Sequence, residues 1–293
     1  MKYLSEEFIA TIDKFNLRAR LIVEGFIIGL HKSPYHGFSV EFSDHRQYNP
    51  GDPISKLDWK VYARTNRYYI RRYEEETNLK SYIIVDHSNS MRYTSGKISK
   101  MEYAKAFASA LSYLMISQQD AVGFLSYTNK ITNYIPPRSM KSYLNIILKE
   151  IYNLEPAETT QTAQVLHSLA DRIKKRGLII LISDLIDDAD EILKGLQHFR
   201  HQKHEVILFH IQDRQEQDFN FKRETEFVDA ETGEKIVVSP WQIKKDYLNE
   251  YKENVSYLKT RCHESFIEYN PISTETPFED NLLKYLIKRA KLM

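Results

Sequence analysis

The first strongly apolar run of the chain leads directly into a polar cluster, and together they read Tyr82-Ile83-Ile84-Val85-Asp86-His87-Ser88-Asn89-Ser90-Met91. Consecutive apolar residues without alternation are typical of a strand that is buried on both faces of a sheet. A second run of this kind, at residues 178–182, is followed by Ser183, Asp184 and Leu185. The two runs therefore predict central strands that end in polar loops.

The chain beyond residue 80 alternates between short apolar runs and amphipathic stretches. Further strands are predicted at residues 121–127, 131–135, 205–210 and 265–269, with a hairpin at 225–238. Helices are predicted at residues 101–116, 139–152, 162–175, 188–201, 241–261 and 278–290. This alternation predicts an α/β fold with a doubly wound, mostly parallel sheet covered by helices on both faces.

The first 79 residues differ in character from the rest. Apolar residues at near-helical spacing predict one or two helices within residues 3–30. Residues 33–79 are rich in aromatic residues, arginine and turn-formers, including Asn49-Pro50-Gly51-Asp52, and predict short β structure. We expect an N-terminal helix plus Arg/Tyr-rich β segment at 1–79, and an α/β domain at 80–293 with a hairpin insertion near 218–238.

Composition narrows the class of partner. The 293 residues include 41 Lys and Arg against 40 Asp and Glu, a net charge of +1 that disfavours nucleic acid and anionic lipid as partners. The apolar stretch at residues 21–30 is far shorter than the roughly 20 residues that span a bilayer, and no signal-peptide layout precedes it. The one cysteine, Cys262, fits a reducing compartment. We expect a cytoplasmic protein without a membrane span.

Three polar segments are expected to converge at one edge of the sheet. They are residues 86–90, 159–162 and 183–185, and two of them follow the predicted central strands. Two carboxylates and several hydroxyls suit a hard divalent cation such as Mg²⁺, which takes about six oxygen ligands near 2.1 Å. Asp and Ser also bond to nearby backbone in ordinary turns, so the first loop by itself leaves a purely structural interpretation open.

Asp-x-Ser-x-Ser, followed by a threonine and by an aspartate after a later strand, resembles the metal-ion-dependent adhesion site of von Willebrand factor A domains. The resemblance implies a Rossmann-type sheet and a bound Mg²⁺, with Mn²⁺ or Ca²⁺ as alternatives. It places the metal ligands at Asp86, Ser88, Ser90, Thr160 and Asp184. Thr160 is preferred to Thr159 or Thr162 because Leu166 then stands where that family has its helix leucine.

A second resemblance lies upstream of this site. It is carried by Ser33-Pro34-Tyr35-His36-Gly37, Arg46-Gln47-Tyr48-Asn49-Pro50-Gly51-Asp52 and Leu57-Asp58-Trp59-Lys60. These motifs resemble the bacterial family called domain of unknown function 58, which joins such a segment to a von Willebrand A-like domain. The resemblance extends over nearly the whole chain, and it implies association with MoxR-type AAA+ ATPases.

Two functions from different classes are compatible with such a site. The first is a non-enzymatic, metal-dependent adaptor whose cation binds an acidic side chain of a protein partner, such as a MoxR-type AAA+ ATPase. The alternative is a Mg²⁺-dependent hydrolase or phosphoryl-transfer enzyme that uses the same carboxylates. The enzyme needs a general base, and His87 is expected to point away because alternate loop positions supply the ligands.

Other candidate groups have simpler interpretations. His198, His201 and His204 have metal-like spacing, but they close an amphipathic helix, where imidazolium suits the helix dipole. We expect these three residues to form a solvated helix end. Cys262, beside His263, is expected to be a buried thiol rather than half of a catalytic pair.

Overall fold

The computed structural model describes residues 40–49, 57–75, 80–117, 120–157, 161–229 and 233–291. The predicted helices within residues 3–30 and the turn at Gly51 lie outside these ranges. Strands β1 (Val40–Gln47) and β2 (Tyr69–Glu75) pair antiparallel, and helix α1 (Trp59–Thr65) lies between them in the chain. No helix is expected there from the sequence, but the Asp58 carboxylate caps it by accepting the N–H groups of Lys60 and Val61.

Eight further strands follow in the described ranges. They are β3 (Lys80–Asp86), β4 (Ala121–Tyr127), β5 (Ile131–Arg138), β6 (Leu178–Ser183), β7 (Glu205–Gln212), β8 (Thr225–Val228), β9 (Lys235–Val238) and β10 (Ile267–Ser273). Six of them form the central sheet in the order β10-β7-β6-β3-β4-β5, and only β5 is antiparallel to its neighbour. Strands β8 and β9 pair separately as an antiparallel hairpin, whose turn at Glu231 and Thr232 lies outside the described residues.

Helices cover both faces of the central sheet. They are α2 (Lys100–Ser117), α3 (Lys141–Tyr152), α4 (Thr162–Arg172), α5 (Ala189–His201), α6 (Arg214–Asp218), α7 (Pro240–Glu264) and α8 (Phe278–Lys291). One apolar core joins α2, α3 and α8 to the sheet, and a second joins α4, α5 and α7 to the opposite face. Alternate residues of β3 enter the two cores, with Ile83 and Val85 in the first and Tyr82 and Ile84 in the second. The predicted doubly wound, mostly parallel α/β fold is confirmed.

The strand order reverses between β3 and β6. From β3 the chain proceeds outward through β4 and β5, then returns to place β6 on the other side of β3. Val85 and Ile182 are partners in the register, so Asp86 and Ser183 end the two strands side by side. This reversal is where α/β sheets open a crevice beyond their carboxyl ends.

The turn between α5 and β7 corrects the expectation for the histidines. His204 is fully buried, and its two ring nitrogens bond to the Ile173 carbonyl at 2.9 Å and the Gly177 N–H at 3.1 Å. It therefore does not belong to a solvated helix end, because it lies beyond α5 and satisfies backbone groups that follow α4. Helix α4 ends at Arg172, three residues before the predicted end, and His204 bonds to the backbone directly after it.

Cys262 is buried, as expected. No helix in the described ranges combines the length and the apolar character that crossing a bilayer requires.

Candidate functional site

The Asp86 carboxylate ties the loops that follow β3 and β6 to each other. Asp86 is buried at the last position of β3. One carboxylate oxygen, Oδ1, accepts the Ser88 N–H at 2.9 Å, and the other, Oδ2, accepts the Ser183 hydroxyl at 2.7 Å. Both oxygens are thus engaged, which fixes the orientation of this carboxylate at the reversal of the sheet.

The two serines of the first loop present their hydroxyls together. A short 3₁₀ helix (Asn89–Arg92) follows Ser88, and the Oγ atoms of Ser88 and Ser90 lie 3.0 Å apart. Neighbouring ligands of an octahedral cation, each about 2.1 Å from it, are themselves about 3.0 Å apart. The two hydroxyls are hydrogen-bonded to each other, and their separation is also that of two adjacent ligands of one Mg²⁺ ion.

Asp184 lies at the same edge but is held by a buried ammonium. Lys100, at the start of α2, donates to Asp184 Oδ2 at 2.7 Å and to Glu216 Oε1 of α6, also at 2.7 Å. Leu185, which follows Asp184, has a φ of 53°, and its N–H donates to the Ser183 hydroxyl at 3.0 Å. A left-handed backbone at a non-glycine residue is uncommon and tends to occur at functional loops.

The carboxylates of this edge differ in their charge partners. Burial, and then the neighbouring charge of Asp184, raise the pKa of Asp86 to about 6, although the Ser88 and Ser183 donors act in the opposite direction. Burial opposes the charge on Lys100, yet Asp184 and Glu216 together hold its pKa above the ordinary value. Lys100 is paired with Asp184 and Glu216, whereas Asp86 contacts no cationic side chain among the described residues.

The third expected segment reaches the site at the start of α4. The Thr162 N–H donates to Asp187 Oδ2, in the loop after β6, at 3.0 Å. Thr162 is fully buried, and its hydroxyl makes no hydrogen bond of ordinary geometry with the described residues. Burial and the charge of Asp86 raise the pKa of the nearby Tyr127 hydroxyl well above the usual range, whereas its contacts with the Thr162 and Ser183 hydroxyls act in the opposite direction. The hydroxyls of Tyr127, Thr162 and Ser183 therefore lie together beside Asp86.

The predicted ligands are therefore placed as follows. Asp86, Ser88, Ser90 and Asp184 lie at one edge of the sheet, at the ends of two neighbouring strands, whereas Thr160 lies outside the described residues. Across the described ranges, no three His, Cys, Asp or Glu side chains gather as a metal cluster, so any cation here depends on hydroxyl ligands as well. His87 points away, with its ring nitrogens at 2.8 Å from the Glu155 carbonyl and 2.8 Å from the Thr132 hydroxyl.

Two charged residues of the site are absent from the sequence-based prediction. Lys100 carries a usable signal, because it lies in helical register with the buried stripe of Ala104, Phe107 and Leu111, where a lysine must find a buried partner. Glu216 forms a capping box with Asp213 at the start of α6. That pattern predicts a helix start but does not reveal a contact with Lys100.

These features define a class of protein: an α/β protein with a hydroxyl and carboxylate site at the reversal point of a mostly parallel sheet. Residues 44–257 match the family described as protein of unknown function DUF58. The match covers more than half of the chain, so the chain belongs to this family, as the sequence motifs indicate.

Known relatives are similar to the chain over much of its length. An uncharacterised protein of Mycobacterium tuberculosis is 23% identical over 229 residues, which are 76% of this chain and 71% of the relative. The conserved hypothetical protein BatB of Bacteroides thetaiotaomicron has a TM-score of 0.45 and 16% identity, covering 73% of this chain and 99% of BatB. A von Willebrand factor type A structure from Catenulispora acidiphila has a TM-score of 0.36 and 16% identity, covering 64% of this chain and 43% of that structure.

Proposed function

We propose that this chain is a non-enzymatic protein-interaction module that binds its partner through a divalent cation at the edge formed by the loops after β3 and β6. The cation is Mg²⁺, or Mn²⁺ or Ca²⁺ in its place, and the residues that would hold it are Asp86, Ser88, Ser90, Thr160 and Asp184. The observation that carries the proposal is the Ser88–Ser90 hydroxyl pair, 3.0 Å apart beside two buried carboxylates.

The chemistry of the donors supports this assignment. Mg²⁺ prefers oxygen ligands such as these hydroxyls and carboxylates, and the buried Asp86 carboxylate has no cationic partner among the described residues. When bound, such an ion supplies an open coordination position for an acidic side chain of a partner. The role of Lys100 is to hold Asp184 in place, because its ammonium already engages one of the two oxygens of that carboxylate.

We assign the partner to the MoxR-type AAA+ ATPases. This assignment is supported by the resemblance of residues 33–91 to the family in which such segments accompany those ATPases. The alternative, a Mg²⁺-dependent hydrolase, lacks a base in the first loop, since both ring nitrogens of His87 are already engaged by Glu155 and Thr132. Phosphoester turnover that Asp184→Ala abolishes would favour the hydrolase.

Isothermal titration with Mg²⁺ and Mn²⁺ tests the metal site. Ser90→Ala should weaken binding by roughly tenfold or more, because it removes one hydroxyl ligand and leaves the Asp86 contacts in place. Ser112→Ala is the matched control: it removes a buried serine hydroxyl that donates to the Ala108 carbonyl within α2, away from the proposed ligands, and it should titrate like the wild type. Identical titrations for Ser90→Ala and the wild type would overturn the proposed site.

The partner is tested with a purified MoxR-type ATPase from the same organism at constant Mg²⁺ and ATP. A chelator would also disable the ATPase, so the comparison uses variants instead. Ser90→Ala should lose the complex and Ser112→Ala should keep it in a pull-down or by light scattering. Equal complex formation by both variants would show that the cation is not part of the contact.

A further inference from the structure

A second concave surface lies beside the carboxyl edge. It is a partly open cavity of about 370 Å³ bounded by α6, the β8–β9 hairpin and the first turns of α7, and lined chiefly by Phe219, Phe221, Phe227, Ile236 and Tyr247. Its volume falls within the range of about 300–1,000 Å³ that is usual for binding pockets. No residue of the cavity belongs to the expected metal ligands.

The walls of the cavity are preformed by aromatic packing. The Phe219 ring lies 4.3 Å from that of Tyr247 and 5.8 Å from that of Phe227, measured between centroids, and Phe221 lies 5.0 Å from Phe227. Phe219 adopts a left-handed backbone, with a φ of 45°, where it ends α6. Packed side chains hold a fixed shape, so the cavity does not need to be assembled by its ligand.

The polar groups at the cavity are already satisfied from within the protein. Glu216 accepts hydrogen bonds from Lys100 and from the Asp213 N–H, and the Tyr247 hydroxyl donates to the Glu216 carbonyl at 3.0 Å. Tyr93 donates to the Gln215 side chain at 3.1 Å. A ligand that enters this cavity therefore meets apolar surface, and an aromatic or branched aliphatic group matches it best.

Exposed apolar side chains extend the surface beyond the cavity. Ile236 is 62% exposed and Trp241 60%, on and next to the hairpin. Large exposed apolar side chains grouped in this way mark surfaces that contact other proteins. A small free solute would fill the cavity and leave this rim in water, whereas a segment of a protein covers both.

The cavity is also continuous with the edge that we propose as the interaction site. Tyr93, in its wall, directly follows the 3₁₀ helix of the serine loop, and Glu216 is joined to Asp184 by the buried Lys100. A single partner segment is thus able to reach both places. Resting on the proposed function, we infer that the cavity seats an aromatic or branched aliphatic anchor residue of the protein segment whose acidic residue reaches the carboxyl edge.

The test uses short synthetic peptides of glycine and serine that carry one aspartate and one tryptophan at a series of separations, with matched peptides in which alanine replaces the tryptophan. Binding is measured by fluorescence polarisation and by the methyl NMR signals of Ile236, Val238 and Ile243, which line the cavity. At the best separation, the tryptophan peptide should bind about tenfold or more tightly than its alanine partner and should shift those signals.

A matched pair of variants localises the effect. Ile243→Glu places a carboxylate at the cavity wall, on a helix residue that is 37% exposed, and should abolish the preference for tryptophan. Ile146→Glu makes the same change at a helix residue that is 50% exposed in α3, outside the cavity lining, and should leave the preference intact. Retention of the preference in Ile243→Glu, or equal binding of tryptophan and alanine peptides, would overturn the inference.

The cavity inference and the metal-dependent function can be refuted independently of each other. A tryptophan preference that Ile243→Glu removes, but that is the same with Mg²⁺, with EDTA and in Ser90→Ala, would support the cavity and overturn the metal-dependent function. A different outcome is that the methyl signals of the cavity shift with free N-acetyltryptophanamide and with none of the peptides. That result would overturn a protein segment as the occupant of the cavity.

Discussion

Asp120 is buried just before β4, and its Oδ2 atom has no hydrogen-bond partner in the described part of the chain. Burial raises the pKa of this carboxyl from 3.8 to about 7. Between these two values the unfolded chain ionises while the folded protein keeps the proton, so the stability of the fold decreases as the pH rises from about 4 to about 7. Above that range the carboxyl is ionised in both the folded and the unfolded protein, and the loss of stability stays constant.

Asp120→Asn removes this ionisation. The variant should match the wild type near pH 4 and exceed its free energy of unfolding at pH 8 by on the order of 4 kcal/mol at most. Urea denaturation at the two pH values measures the difference. The same substitution at the exposed Asp246 should change stability by less than ~0.5 kcal/mol at either pH. A stability gain for Asp120→Asn that does not depend on pH would contradict the role of its ionisation.

Lys100 is the residue on which the charge arrangement of the site depends. Lys100→Met keeps most of the side-chain volume but leaves Asp184 and Glu216 without their buried counter-ion. The free energy of unfolding at neutral pH should fall by about 3–5 kcal/mol, as measured by chemical denaturation. Lys194→Met breaks an exposed pair with Glu191 and should have little effect. Equal stabilities of the two variants would show that the buried network contributes no more than a surface ion pair.

At the scale of elements, Gly177 permits β6 to start beside β3. A Cβ atom at this position would lie 2.1 Å from the Lys80 carbonyl oxygen, so the backbone itself would have to move. Gly177→Ala should destabilise the protein by about 1–3 kcal/mol in thermal or urea denaturation. Gly96→Ala is the control, because a Cβ there meets nothing within 4 Å. A Gly177→Ala protein as stable as the Gly96→Ala protein would contradict this close approach.

Elements with a long periodic pattern or an unbroken apolar run are readily predicted from the sequence. The helix expected at 241–261 is observed as Pro240–Glu264, and the strand expected at 178–182 as Leu178–Ser183. Short elements and the ends of helices are harder to predict from the sequence, because they depend on single contacts. Helix α1 depends on the Asp58 cap, and the buried His204 bonds to the backbone that follows α4. Neither contact produces a repeating pattern.

For the molecule as a whole, stability is concentrated at the centre of the sheet. Strands β3 and β6 have a partner on each side and are almost wholly buried, whereas β8 and β9 pair only with each other among the described strands and are largely exposed. Amides of β3 and β6 should exchange with solvent only on global unfolding, and those of the hairpin through local opening at much faster rates. Hydrogen exchange followed by mass spectrometry measures both, and similar rates would contradict this separation.

The placement of the site also belongs to the whole molecule. The motifs at Asp86–Ser90 and Ser183–Leu185 indicate which residues matter, but the distance between them depends on β6 returning to the side of β3. Two apolar runs separated by about ninety residues do not by themselves determine which strands are neighbours in the sheet. The preference for right-handed connections between parallel strands reduces the number of possible strand orders but does not select one.

The sequence by itself determines the α/β class, the family and the hydroxyl and carboxylate residues of the edge, because periodicity and spaced motifs are local properties of the chain. Only the tertiary structure places Lys100 between Asp184, 84 residues away, and Glu216, 116 residues away, and folds the hairpin over an aromatic cavity. Such contacts result from the packing of whole elements, whose relative positions no short stretch of sequence encodes.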